Sequence, residues 1–185
     1  MPGPAGLLTL DLSSRVGWSY GCGPIPELYG CWSLTQSTRG GRFDAFRTVL
    51  EDTLDQWQPA EVLMEAPLPP MAQTSAGSAR QQYGLAAYVE GECAQAGITV
   101  LERSADDVRR LLIGRSRSRR APGGSSSTDL FGRPVQQSIK ALVIEYVRSL
   151  GLPVSDDNTA DAIALYLALQ AERRHARIRT VKAAA

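Results

Sequence analysis

The sequence predicts an α/β fold: a mixed sheet, antiparallel at its start and parallel afterwards, covered by helices. Two observations carry this. The opening third holds three short strand-like runs separated by turns, and the remainder alternates compact apolar runs with helical periodicity, in the order βββαβαβα, a break, then αα. The size agrees: 185 residues that are 43% hydrophobic suffice for one domain, spanning 1–185, with a proper core.

Leu7 to Asp11 (LLTLD) is an apolar run ending in an acid. Ser13, Ser14 and Gly17 then turn the chain into a second strand at Trp18 to Tyr20, and Leu28 to Leu34 forms a third. Phe43, Phe46, Val49, Leu50, Leu54 and Trp57 recur at helical spacing until Pro59. Val62 to Glu65 (VLME) is a buried strand stopped by Pro67, Pro69 and Pro70. After a small-residue loop at Gln73 to Ser78, a helix covers Ala79 to Ala96, and Ile98 to Glu102 adds the last strand. Ser104 opens a short helix with Asp106 and Asp107 in its first turn, where negative charge is favoured. Residues 114–133, rich in Arg, Gly and Ser without periodicity, are expected to be a flexible loop. Order resumes at Val135 in a helix closed by Gly151 and Pro153, and a final helix runs from Asp156 to Arg174, leaving a frayed basic tail from about 174.

Cys22, Cys31 and Cys93 are scattered and the one histidine, His175, is remote from them, which argues against a zinc site or a disulfide framework and fits a reducing cytoplasm. No apolar run approaches the ~20 residues needed to cross a bilayer, so a cytoplasmic protein without membrane contact is expected. The net charge of +1 conceals an uneven distribution. Arg109, Arg110, Arg115, Arg117, Arg119 and Arg120 crowd one segment, and Arg173, Arg174, Arg177, Arg179 and Lys182 crowd the tail. A basic surface beside an acidic pocket suits an enzyme that handles a polyanion with metal ions; solvated segments are the plainer reading.

The acids are informative by position. Asp11 ends the first strand, Glu65 ends the fourth, and Asp161 lies one turn into the last helix behind Asp156, Asp157 and Asn158. Converging, poorly solvated carboxylates repel one another unless cations neutralise them, and hard divalent ions with oxygen ligands do so naturally. Taken singly, Asp11 could cap a turn, Glu65 could pair with an arginine, and residues 156–158 could form an ordinary helix cap. The conjunction favours a site.

The same residues resemble a family. LLTLDLSSRVGWSYG resembles the opening motif of RuvC-like Holliday junction resolvases, VLMEAP the second, QSIKALVIEYV the A-x-K-x-x-V helix, and DNTADAIALYLAL the closing D-x-A-D-A-[LI]-A motif, in the correct order. The resemblance implies an RNase H-like (RuvC-type) mixed five-stranded sheet with helices on both faces. It implies that Asp11, Glu65 and Asp161 hold two Mg²⁺ ions, or Mn²⁺, for cleavage of branched DNA to 5′-phosphate and 3′-hydroxyl ends, with Lys140 facing the scissile phosphate or its leaving oxygen. One position departs. Three residues before its last aspartate the family usually has Asp or His, and this chain has Asn158; Asp157 could supply the charge instead, and the two stand as equal candidates.

Arg115, Arg117, Arg119 and Arg120 suit phosphate contacts, and Leu68 and Met71 are candidates for an apolar wedge at the exchange point. A homodimer is implied because a junction is cut at two symmetric positions, and the second helix (Tyr83, Leu85, Tyr88, Val89) offers an apolar patch for it. No small-molecule cofactor is expected. Rival readings keep the fold but change the substrate to an RNA/DNA hybrid, flap or RNA, or make the chain a non-catalytic nucleic-acid module. An actin-like ATPase is disfavoured by the short chain and the lack of a second phosphate loop.

Overall fold

A computed structural model describes residues 6–73, 75–114 and 138–184. The segment 115–137, with most of the predicted loop, the candidate arginines Arg115, Arg117, Arg119 and Arg120, and Val135, lies outside the described residues. Five strands and five helices follow the expected order: β1 (Leu7–Asp11), β2 (Arg15–Gly21), β3 (Leu28–Ser33), α1 (Arg39–Trp57), β4 (Glu61–Glu65), α2 (Ala76–Ala96), β5 (Thr99–Arg103), α3 (Ala105–Ile113), α4 (Ile139–Ser149) and α5 (Asp157–Ala184). The sheet order is β3-β2-β1-β4-β5. β1, β2 and β3 pair antiparallel, whereas β4 lies parallel to β1 and β5 parallel to β4.

Alternation along each strand sends neighbouring side chains to opposite faces. Leu8, Leu10, Val62 and Met64 meet Phe46 and Leu50 of α1 and Leu85 and Val89 of α2 in one apolar cluster. Leu7 and Leu63 face the other way, into a cluster built from α3, α4 and α5. α5 lies against the sheet, and its residues Ala160 and Ala162–Leu169 are buried between the strands and the outer helices.

Several boundaries differ from the sequence expectation for local reasons. α1 starts at Arg39, before its first aromatic, because Thr38 caps it by accepting from Gly41 N–H at 3.0 Å. α2 starts at Ala76 within the expected loop, because the Ser75 hydroxyl accepts from Ser78 N–H at 3.1 Å. α5 continues past Arg174 to Ala184, where a frayed tail is predicted; residues 175–184 contain neither Gly nor Pro and include three Ala and two Arg, good helix formers. The suggested dimer patch on α2 is also corrected: Leu85 and Val89 are fully buried in the protein's own core, leaving Tyr83 exposed and Tyr88 half-buried. No helix among the described residues is long and apolar enough to cross a membrane.

Candidate active site

Strand parity places the acids. In β1 the residues facing α5 are Leu7, Thr9 and Asp11; in β4 they are Glu61, Leu63 and Glu65. Leu10 pairs with Met64, so one step further the two strands end side by side in Asp11 and Glu65, on neighbouring strands about 4.8 Å apart. The first turn of α5 crosses this same edge. Gly17 pairs with Asp11, and a Cβ there would stand 1.9 Å from the Asn158 carbonyl oxygen, so only glycine lets the helix start lie on the sheet. The buried hydroxyls of Thr9 and Ser19 reach the Ala162 carbonyl at 2.8 and 3.3 Å and lie 2.6 Å from each other. They hold the helix in position at the residue after Asp161.

Burial and mutual repulsion set the electrostatics. Asp11 is driven well above the usual carboxylate range by burial, then by the charges of Glu65 and Asp161. Burial, then Asp161, pushes Glu65 up to about 7. Burial raises Asp161 as well, opposed by the Arg109 guanidinium, whose nitrogen lies 3.9 Å from its carboxylate, and by Lys140. Neither Asp11 nor Glu65 has a side-chain hydrogen bond or ion pair among the described residues. Also among the described residues, no three His, Cys, Asp or Glu side chains are gathered closely enough to hold a metal ion. The acids thus converge within mutual electrostatic reach without forming a ready-made cage. Their all-oxygen, net-negative donor set is of the kind that hard divalent cations take.

The other candidates divide. Asp156 is the helix cap, accepting from the Thr159 N–H at 2.9 Å and from its hydroxyl at 2.8 Å. Asp157 bonds the Lys140 ammonium, which holds its carboxyl below the usual range. Asn158 accepts from the Ser13 hydroxyl at 3.3 Å. Lys140 therefore sits at the rim of the acidic group, from α4. Leu68 is exposed and Met71 is 99% exposed on the loop that follows Glu65, where the Tyr83 hydroxyl donates to the Leu68 carbonyl at 3.2 Å. Arg115, Arg117, Arg119 and Arg120 lie outside the described residues.

Sequence reasoning missed Arg109 as a site residue, since nothing distinguishes it from its arginine neighbours until α3 packs on α5. It also missed Thr9, although a polar residue two positions before Asp11 in an apolar strand shares its face and was a readable signal.

No protein-family model and no curated protein sequence matches the chain. Solved structures do. A Thermus thermophilus RuvC in complex with Holliday junction substrate superposes with TM-score 0.65 at 15% identity, over 89% of this chain and 92% of that one. A second Thermus thermophilus RuvC structure gives 0.64 at 16% identity, over 92% and 96%. The yeast mitochondrial Holliday junction resolvase Ydc2 gives 0.54 at 14% identity, over 97% and 84%. With the five-stranded mixed sheet and helices on both faces, these likenesses establish that the chain has the RuvC-type α/β fold.

Proposed function

We propose that the chain is a divalent-metal-dependent endonuclease that cuts branched DNA, Holliday junctions foremost. The observation that carries this reading is the convergence of Asp11, Glu65 and Asp161 at one end of the central strands, Asp11 buried and the other two half-buried, with Glu65 and Asp161 raising the proton affinity of Asp11 and Asp161 that of Glu65. Burying repelling carboxylates weakens a fold, so their placement calls for a cationic partner. The likeness in fold to proteins described as RuvC and as a Holliday junction resolvase supports the choice of substrate.

Asp11, Glu65 and Asp161 would hold Mg²⁺ or Mn²⁺, with Asp157 or Asn158 completing the donor set. When bound, two such ions activate water on one side of a phosphodiester and neutralise the leaving oxygen on the other. Asp161 and Asp157 are engaged by Arg109 and Lys140, so holding an ion requires these carboxylates to exchange partners. The released guanidinium and ammonium then face a phosphate entering the site, one as a fork of donors and the other as a point charge. Ends bearing 5′-phosphate and 3′-hydroxyl, a homodimer cutting two symmetric strands, and action in the cytoplasm complete the proposal.

The test is cleavage of a synthetic four-way junction with Mg²⁺ in competition with flap, duplex and hybrid. Asp11→Asn should abolish cutting while leaving binding largely intact; cutting that survives it refutes the site. Comparing Asp157→Asn with Asn158→Ala identifies the additional ligand.

A further inference from the structure

The last 12 residues of the chain, 174–185, carry four of its 20 Lys and Arg residues and none of its 19 Asp and Glu residues. α5 turns this composition into a shape. Its residues 159–169 are almost wholly buried, and its last anchors to the body are Glu172, bonded to Arg103 at 2.9 Å, and Arg173, paired with Glu61. From Arg174 to Thr180 every residue is exposed while the helix continues. Glu61 opens β4 at the sheet edge opposite Glu65, so the basic segment leaves the fold at the far end from the acids. None of Arg174, Arg177 and Arg179 has an ion-pair partner among the described residues.

Resting on the nuclease reading above, we propose that this projecting end of α5 is a second DNA contact, an arm whose Arg174, Arg177 and Arg179 bind the phosphate backbone of a duplex away from the cut. Ile178 is the one large exposed hydrophobic side chain in 174–180, too little for an apolar seam against a second copy or a protein partner. Cations without acids on an extended rod match a polyanion instead. The helix also sets the reach. Arg174 and Arg179 lie 13 and 18 residues beyond Asp161, which at 1.5 Å per residue is about 20 and about 27 Å. For a duplex running along α5, at 3.4 Å per base pair, the arm meets phosphates roughly six to eight base pairs from the cleaved bond.

The experiment compares the full-length wild type with the triple variant Arg174→Gln, Arg177→Gln, Arg179→Gln on a four-way junction with arms of about 15 base pairs. Hydroxyl-radical footprinting and the salt dependence of binding are the readouts. Protection six to eight base pairs from the cut should vanish while protection at the exchange point persists, and the slope of log K against log salt should shrink by about two to three. A footprint that keeps its outer protection, or fades evenly along the arms, overturns the arm. A wild type that neither binds nor cuts the junction overturns the nuclease reading itself, which separates the two failures.

Discussion

The two faces of the sheet are built from the same strands and serve opposite ends. Beneath α1 and α2 the strands present Leu8, Leu10, Val62 and Met64, and every member of that cluster's buried set is apolar. Beneath α5 the alternate residues of the same strands present Thr9, Asp11, Ser19, Glu61, Glu65 and Arg103. Leu7 and Leu63 keep part of that face apolar, and its polar groups gather at the strand ends and at the pair of Thr9 and Ser19, because water leaves apolar surface favourably and leaves carboxylates unfavourably. A single step of register would exchange the two sets, so the strand pairing that makes the core also makes the site.

This division can be broken from either side. Asp11→Asn should lower junction cleavage on the order of 10³-fold or more, about 4 kcal/mol in the barrier, without loss of melting temperature, since it removes a repelled charge. Phe46→Ala, on the apolar face, should do the reverse: about 3–5 kcal/mol less stability in urea, with cleavage per folded molecule retained. If the two variants lose activity and stability in parallel, the faces are not separable.

The pH dependence sharpens the contrast. Glu65 is pushed up to about 7 in the fold from an ordinary 4.5, so between those values the folded chain holds more protons than the unfolded one. Stability of chelator-treated protein should therefore fall as pH rises through 4.5 to 7, by about 3 kcal/mol from this group, with Asp11 acting in the same direction from 3.8 upward. Urea midpoints across that window check it, and Glu65→Gln should flatten the slope. The smallest effect is expected at the seam. Gly17→Ala sets a methyl against the Asn158 carbonyl and should cost about 1–3 kcal/mol in thermal melts while lowering cleavage, since the first turn of α5 must lift from Asp11.

Much of this was legible in the sequence because it is written in short-range pattern. The apolar runs LLTLD and VLME end in the two acids that close adjacent strands, and the helical spacing of Phe46, Leu50 and Leu54 points into the core they enter. Helix starts were misplaced where Thr38 and Ser75 cap ahead of the first apolar residue, and the end of α5 was misplaced because no breaker follows Arg174. The reading of α2 as a dimer patch is corrected at Leu85 and Val89 for a related reason: an apolar stripe shows that something covers it, and periodicity is silent on whether that is the chain itself.

By itself, then, the order of residues determined which elements form and which strand ends carry carboxylates, since period and capping are local properties of the chain. Only the tertiary structure decided that Arg109 stands against Asp161, that Lys140 bonds Asp157 rather than solvent, and that Thr9 and Ser19 fasten α5 over Asp11. Those contacts join residues 17 to 153 positions apart, and nothing in a local window encodes which distant helix will pack where.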